Sequence, residues 1–121
     1  MLLKILPQNF TVCKTEDFSQ VNFENEYTFT AKTKEENSLV CETKSVPKNT
    51  LFREDGWKCF KIEGVLDFSL VGILAEISRI LAQEKIGIFA VSTFNTDYIF
   101  VKQENFTDAK KALLKAGHEV L

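Results

Sequence analysis

Histidine is nearly absent from this chain of 121 residues, which has one, His118. That scarcity removes the imidazole clusters on which most zinc sites and acid–base pairs depend. His118 follows a predicted helix, where an imidazole favours the dipole and the open carbonyls, and no nucleophile is spaced to pair with it. Paired cysteines are also missing. Cys13, Cys41 and Cys59 are odd in number, lie far apart and form no CxxC, so a metal knuckle, a redox motif and a disulfide framework are excluded. Each stands in a strand-like setting and reads as a small core residue. No apolar run approaches ~18 residues, so no segment spans a membrane as a helix. The segment Met1–Pro7 is too short for a secretory signal and lacks its small-residue cleavage pattern, which makes the cytoplasm the expected location. A basic excess is lacking too. With 15 Lys and Arg against 17 Asp and Glu the net charge is −2, which argues against a nucleic-acid partner.

What is present is a 45% apolar chain with 11 Phe, enough for the packed interior of one ordinary domain or of two very small ones sharing a core. Residues 57 to 121 read as strand–helix–strand–strand–helix–strand. Trp57 to Glu63 alternates bulky apolar with polar residues, the period of a half-buried strand. From Leu70 the period lengthens: Leu70, Ile73, Leu74, Ile77, Ile80 and Leu81 make one helical stripe, with Glu76, Arg79 and Gln83 opposite. Asp67 or Ser69 can cap its start, and Gly87 closes its end. Ile88 to Phe94 and Tyr98 to Lys102 are β-branched and aromatic strands around an Asn95-Thr96-Asp97 turn. Thr107 to Ala116 predicts a second amphipathic helix, ended by Gly117, and His118 to Leu121 a last short strand. This order specifies an α+β, ferredoxin-like βαββαβ module, with two helices on one face of a four-stranded antiparallel sheet.

Residues 1 to 56 are less regular. Phe10 to Thr15, Tyr27 to Thr33 and Ser38 to Thr43 read as strands, with a polar turn at Lys34 to Asn37. Asp17 to Phe23 carries at most a helical turn or two. Leu51 to Gly56 reads as a solvated connection. The order matches the opening of the later half with a helix missing, so 1–56 is expected to be a truncated copy of the module at 57–121. Such a copy is too small to bury its own sheet face and would complete the larger copy's core.

Two loops concentrate the chemistry. The segment 64–69 precedes a helix, where free backbone N–H groups and the dipole suit a carboxylate or phosphate. Gly72 in the first helical turn costs about 1 kcal/mol relative to Ala, which suggests close approach by a ligand or by another backbone; helix-to-sheet packing is the bland alternative. The second loop, Ser92 to Tyr98, is polar for a hairpin between buried strands. Asp97 could pair a ligand ammonium while Ser92 or Thr93 donates hydroxyls, and a self-satisfied turn accounts for Asn95 and Thr96.

At these loops, Glu63-Gly64-Val65-Leu66-Asp67-Phe68-Ser69-Leu70-Val71-Gly72-Ile73-Leu74 and Ile88 to Tyr98, the chain resembles small prokaryotic proteins built from tandem ACT modules. ACT modules are the amino-acid-sensing regulatory units of enzymes such as aspartate kinase. More weakly, it is similar to the cytosolic arginine sensors of animal cells. The resemblance implies a degenerate ACT-like module at 1–56 ahead of an ACT-like module at 57–121, and an amino-acid site at the module interface. By position it points to Asp67, Phe68, Ser69, Val71 and Gly72 in one loop and to Ser92, Thr93, Phe94 and Asp97 in the other. The common ACT loop has Pro-Gly before its helix, and here Phe68-Ser69 stands instead. A non-catalytic sensor or regulatory protein follows, with no cofactor and no metal.

Other readings of the same strand–helix order fit less well. Acylphosphatase chemistry needs an arginine in the first strand-to-helix loop, and residues 63–69 have none. An RNA-binding sheet would use Tyr98 and Phe100, but its Lys/Arg-Gly opening and a basic surface are missing. A protein–protein interaction module without a small ligand is the remaining alternative. A homodimer is expected in either case, since it would cover open strand edges.

Overall fold

The computed structural model describes residues 1–63 and 72–121. Its elements are β1 (Leu2–Thr15), β2 (Phe29–Lys32), β3 (Asn37–Glu42), β4 (Thr50–Ile62), α1 (Ile73–Gln83), β5 (Ile88–Ser92), β6 (Asp97–Lys102), α2 (Phe106–Lys115) and β7 (Glu119–Val120). The chain divides into two compact units, one made of Met1–Pro7 and Lys58–Leu121, the other of Gln8–Trp57. No helix among the described residues is long and apolar enough to cross a membrane.

In the first unit the strands run in the order β7, β1, β4, β6, β5. Hairpin β5–β6 is antiparallel, from Ile88 opposite Val101 to Ser92 opposite Asp97. The helical stripes land where their period puts them. Ile77, Ile80 and Leu81 of α1, with Ala109 and Leu113 of α2, pack against Leu3, Phe60, Ile62, Ile99 and Val101 of the sheet. Fully burying each such aliphatic side chain contributes about 1.5–3 kcal/mol, so this layer dominates the unit's stability. Phe106 at the start of α2 stacks on Phe60 with centroids 5.2 Å apart.

The sheet differs from the expected four antiparallel strands. The opening residues of β1 lie between β4 and β7, and β7 joins β1 in parallel, with Leu2 opposite Glu119 and Leu3 opposite Val120. The physical reason is supply. With two residues β7 makes a very short strand, whereas Leu3, fully buried, gives the core an aliphatic side chain from a long strand.

Helix ends also depart from the reading. The N-cap of α1 is Gly72, left-handed at φ 84°, with no side-chain cap; Asp67 and Ser69, the expected caps, lie outside the described residues. A Cβ at Gly72 would meet nothing within 4 Å, so glycine is required there by its φ and not by tight packing. Gly87 does not close α1. Lys85 does, in the left-handed region at φ 60°, with Lys85 N–H donating to Ala82 C=O at 2.9 Å and Ile86 N–H to Leu81 C=O at 3.0 Å. Gly117 ends α2 as expected, at φ 96°. There the His118 backbone N–H donates to Leu113 C=O at 3.1 Å. The imidazole does not cap: it is buried, its Nε2 3.6 Å from Glu76 Oε1 of α1.

In the second unit the strand order is β2, β3, β1, β4. Cys13, Leu39 and Cys41 form its small apolar cluster, with Val21 and Val46 against it. All three cysteines of the chain are buried free thiols. Burial pushes the Cys13 thiol up and the Cys41 thiol to about 12; Cys59, in the first unit, is raised further by the same desolvation.

Leu51 to Gly56 is part of strand β4, not a connection. Its residues are mostly exposed, which gave them a loop-like composition, but Glu16 N–H donates to Asn49 C=O at the head of the β1–β4 pair. Buried Thr11 then donates its hydroxyl to Asp55 Oδ1 at 2.6 Å, and Arg53 grips the same carboxylate at 3.0 Å. Asp17 to Phe23 holds no helix; instead the Asp17 carboxylate accepts from the Ser19 N–H and hydroxyl in an Asx turn. The Ser19 hydroxyl is the main reason that the Asp17 carboxyl titrates below its ordinary range.

The hairpins of the two units correspond residue by residue at a spacing of 60. Phe29 faces Val40 as Phe89 faces Phe100, and Lys32 faces Asn37 as Ser92 faces Asp97. The turn bond from Thr33 N–H to Glu36 C=O, 2.9 Å, has its counterpart from Thr93 to Thr96, 2.8 Å. β3 and β6 share one burial pattern, and each runs into a single 3-10 turn, Thr43–Ser45 and Gln103–Asn105.

Candidate functional site

β4 ends at Ile62, Glu63 follows, and the chain is described again from Gly72. Asp67, Phe68, Ser69 and Val71 therefore lie outside the described residues. Their neighbours in the first unit can be placed. Glu63 N–H donates to Leu2 C=O at 2.9 Å, which fixes the strand end, and the Glu63 carboxylate lies 3.7 Å from Lys61 Nζ.

The β5–β6 turn is fastened to that same strand end. Thr96, 3% exposed, donates its hydroxyl to Ile62 C=O at 2.6 Å. The turn itself spans Thr93 to Thr96, one to two residues earlier than the sequence suggests, because Asp97 already pairs with Ser92 in the ladder. Thr93 Oγ1 donates to Thr96 C=O at 2.9 Å and accepts from Thr96 N–H at 3.3 Å. The Thr93 hydroxyl is thus committed inside the turn. Ser92 is exposed, Phe94 is 85% exposed, and Asp97 is half-buried as the first residue of β6. Among the described residues no side-chain hydrogen bond or ion pair engages the Asp97 carboxylate.

So the structure gathers Ser92, Thr93, Phe94 and Asp97 around one turn and ties that turn to the point where the 64–71 segment leaves β4. Gly72 stands at the other end of that segment, as the N-cap of α1. Such an arrangement offers a carboxylate unengaged among the described residues, an exposed serine hydroxyl and an exposed aromatic ring to a small polar ligand. Thr96 is the residue the sequence reading passed over. A threonine in a turn reads as self-satisfied and solvated, and only the burial of its side chain marks it. Among the described residues no group of three or more His, Cys, Asp or Glu side chains could hold a metal ion.

A family model described as the ACT domain matches residues 52–115. A solved protein from Agrobacterium tumefaciens is similar at TM-score 0.86 and 29% identity, over 99% of this chain and 91% of its own. A Vibrio cholerae protein of unknown function is similar at TM-score 0.73 and 20% identity, over 93% and 87% of the two chains. The ligand-free regulatory subunit of aspartate kinase from Thermus thermophilus matches at TM-score 0.68 and 8% identity, over 95% and 96%, a likeness of fold alone. No curated protein sequence matches the chain.

Proposed function

Because this chain belongs to the ACT-domain family, its model matching residues 52–115, we propose that it is a non-catalytic regulatory or sensor protein that binds a small amino acid. ACT domains are typically non-catalytic, and one protein of the same fold is the regulatory subunit of aspartate kinase. The observation that carries the reading is the half-buried Asp97, whose carboxylate is unengaged among the described residues, beside a turn fastened to the end of β4. A carboxylate in that position suits an ammonium group. In this reading Asp97 takes the ammonium, Ser92 donates its hydroxyl, Phe94 and Thr93 form the turn beside the ligand, and Asp67, Phe68, Ser69, Val71 and Gly72 are the further ligand-binding residues.

The matching hairpins at a spacing of 60 support a second part of the proposal, that the first half of the chain is a shortened copy of the same module. A homodimer is the third part. Among the described residues β5 ends the sheet path beside β6, and its outer edge could take a second copy. Light scattering after gel filtration would show twice the 13.8 kDa monomer mass; a monomer across micromolar concentrations refutes it.

A thermal-shift screen of the common amino acids tests the central reading. A ligand at ~100 times its Kd stabilises the fold by about 2.7 kcal/mol, a shift of several degrees. If no amino acid at tens of millimolar moves the midpoint by about one degree, the protein is an interaction module without a small ligand. With a hit in hand, calorimetry on Asp97→Ala is expected to show binding weaker by about 2–5 kcal/mol, since a charge pair loses one partner. Parental affinity in that variant would make Asp97 a turn residue only.

A further inference from the structure

We propose that Thr96 is the positioning residue of this site: its buried hydroxyl sets the distance between the β5–β6 turn and the end of β4, and so the place of the Asp97 carboxylate. The inference rests on the amino-acid reading above and adds to it a residue that touches no ligand itself.

Three observations combine. Thr96 is 3% exposed although it sits in a hairpin turn, a position that normally faces water. Its hydroxyl makes a 2.6 Å bond to Ile62 C=O, buried and spanning 34 positions of sequence. Its backbone is locked as well, since Thr96 C=O accepts from both the N–H and the hydroxyl of Thr93, at 2.8 and 2.9 Å. Asp97 follows directly, so a fixed Thr96 leaves the Asp97 carboxylate only its own side-chain rotations. A buried donor without its partner is costly, and that cost makes the register of turn against strand sharply defined.

The second unit supplies an internal control. There Asn37 Nδ2 donates to Glu16 C=O at 2.9 Å and ties the corresponding hairpin to the end of β1, where this reading assigns no ligand. A tie that only stabilises a hairpin should behave alike in both places.

The experiment compares the parent, Thr96→Val, Thr96→Ser and Asn37→Ala by calorimetric titration with the amino acid found in the screen, and by urea unfolding. Thr96→Val keeps the shape and removes the donor. It is expected to weaken binding about tenfold or more, a loss on the scale of one hydrogen bond. Thr96→Ser, which keeps the hydroxyl, should restore affinity to within a fewfold of the parent. Asn37→Ala should lower stability and leave affinity unchanged. Thr96→Val that binds like the parent while unfolding more easily overturns the proposal and leaves amino-acid sensing standing. A parent that binds no amino acid removes both. Should Thr96→Val fail to fold, Thr96→Asn replaces it, with a donor on a longer arm: weakened binding supports the positioning role, and parental affinity overturns it.

Discussion

Replacing Lys85 by glycine should stabilise the protein, although it removes a charged side chain and adds backbone freedom. Lys85 closes α1 at φ 60°, where an L-residue is strained by about 1–2 kcal/mol and glycine is not. Against this gain stands the larger entropy of glycine in the unfolded chain, roughly 0.5–1 kcal/mol, and a few tenths of a kcal/mol for a lost cation beside the helix C-terminus. The net expectation is a gain of about 0.5 kcal/mol. For a chain of this length that corresponds to roughly 2–3 °C in Tm. Gly87→Ala is the matched test. Gly87 has no positive φ, and a Cβ there would meet nothing within 4 Å, so alanine should be neutral or stabilise by up to about 1 kcal/mol through the unfolded state. Thermal unfolding followed by circular dichroism, with urea titrations to confirm an unchanged m-value, measures both. The assignment of the helix end is wrong if Gly87→Ala costs more than about 1 kcal/mol while Lys85→Gly also destabilises. That pattern would return the stop signal to Gly87.

Two further outcomes follow from the cores. Leu113 is fully buried between α2 and the sheet, so Leu113→Ala should cost about 2–5 kcal/mol in urea unfolding; a loss below about 1 kcal/mol would mean that the layer collapses around the gap. Cys41 has its thiol raised from 9.0 to about 12, mainly by burial. The neutral thiol is therefore favoured in the folded state, and its contribution is full below pH 9 and is lost as pH rises toward 12. Stability of the parent should fall more steeply over that window than that of Cys41→Ala, and parallel curves would refute the linkage.

The helices and the β5–β6 hairpin were legible in the sequence because their periods are unambiguous. The stripe from Ile73 to Leu81 has one packing solution, and the apolar run at Ile88 to Val91 faces another at Tyr98 to Val101. The cysteines were legible for a similar reason, as apolar residues inside apolar strands. Leu51 to Asp55 was not, because exposed strand residues carry the same polar composition as a loop and only ladder pairing distinguishes them. Lys85 was not, since a left-handed lysine leaves no sequence signal while a glycine two residues later leaves a false one. At the candidate site, the clustering of Ser92, Thr93, Phe94 and Asp97 about one turn could be read from the hairpin. The bond from Thr96 to Ile62 could not, because it depends on how far the turn folds over a strand 34 positions away.

The placement of Leu2 to Pro7 in the first unit has a topological cost. Those residues are separated from the rest of their unit by the whole of Gln8–Trp57, and yet they lie between β4 and β7. A segment covering only the family match at 52–115 lacks both Leu3 and Val120 and would leave the β4 edge bare. The unit is in effect a split protein whose smaller fragment is joined to the larger through the whole of the second unit. Closing so long a loop slows folding more than it weakens the folded state, because each doubling of its length costs only about 0.6 kcal/mol while long-range pairings delay the rate-limiting step. A protease nick in the connection at 16–28, between β1 and β2, would cut that covalent link. The opening strand would then be held by its contacts alone, as a peptide that a competing strand of similar sequence could replace.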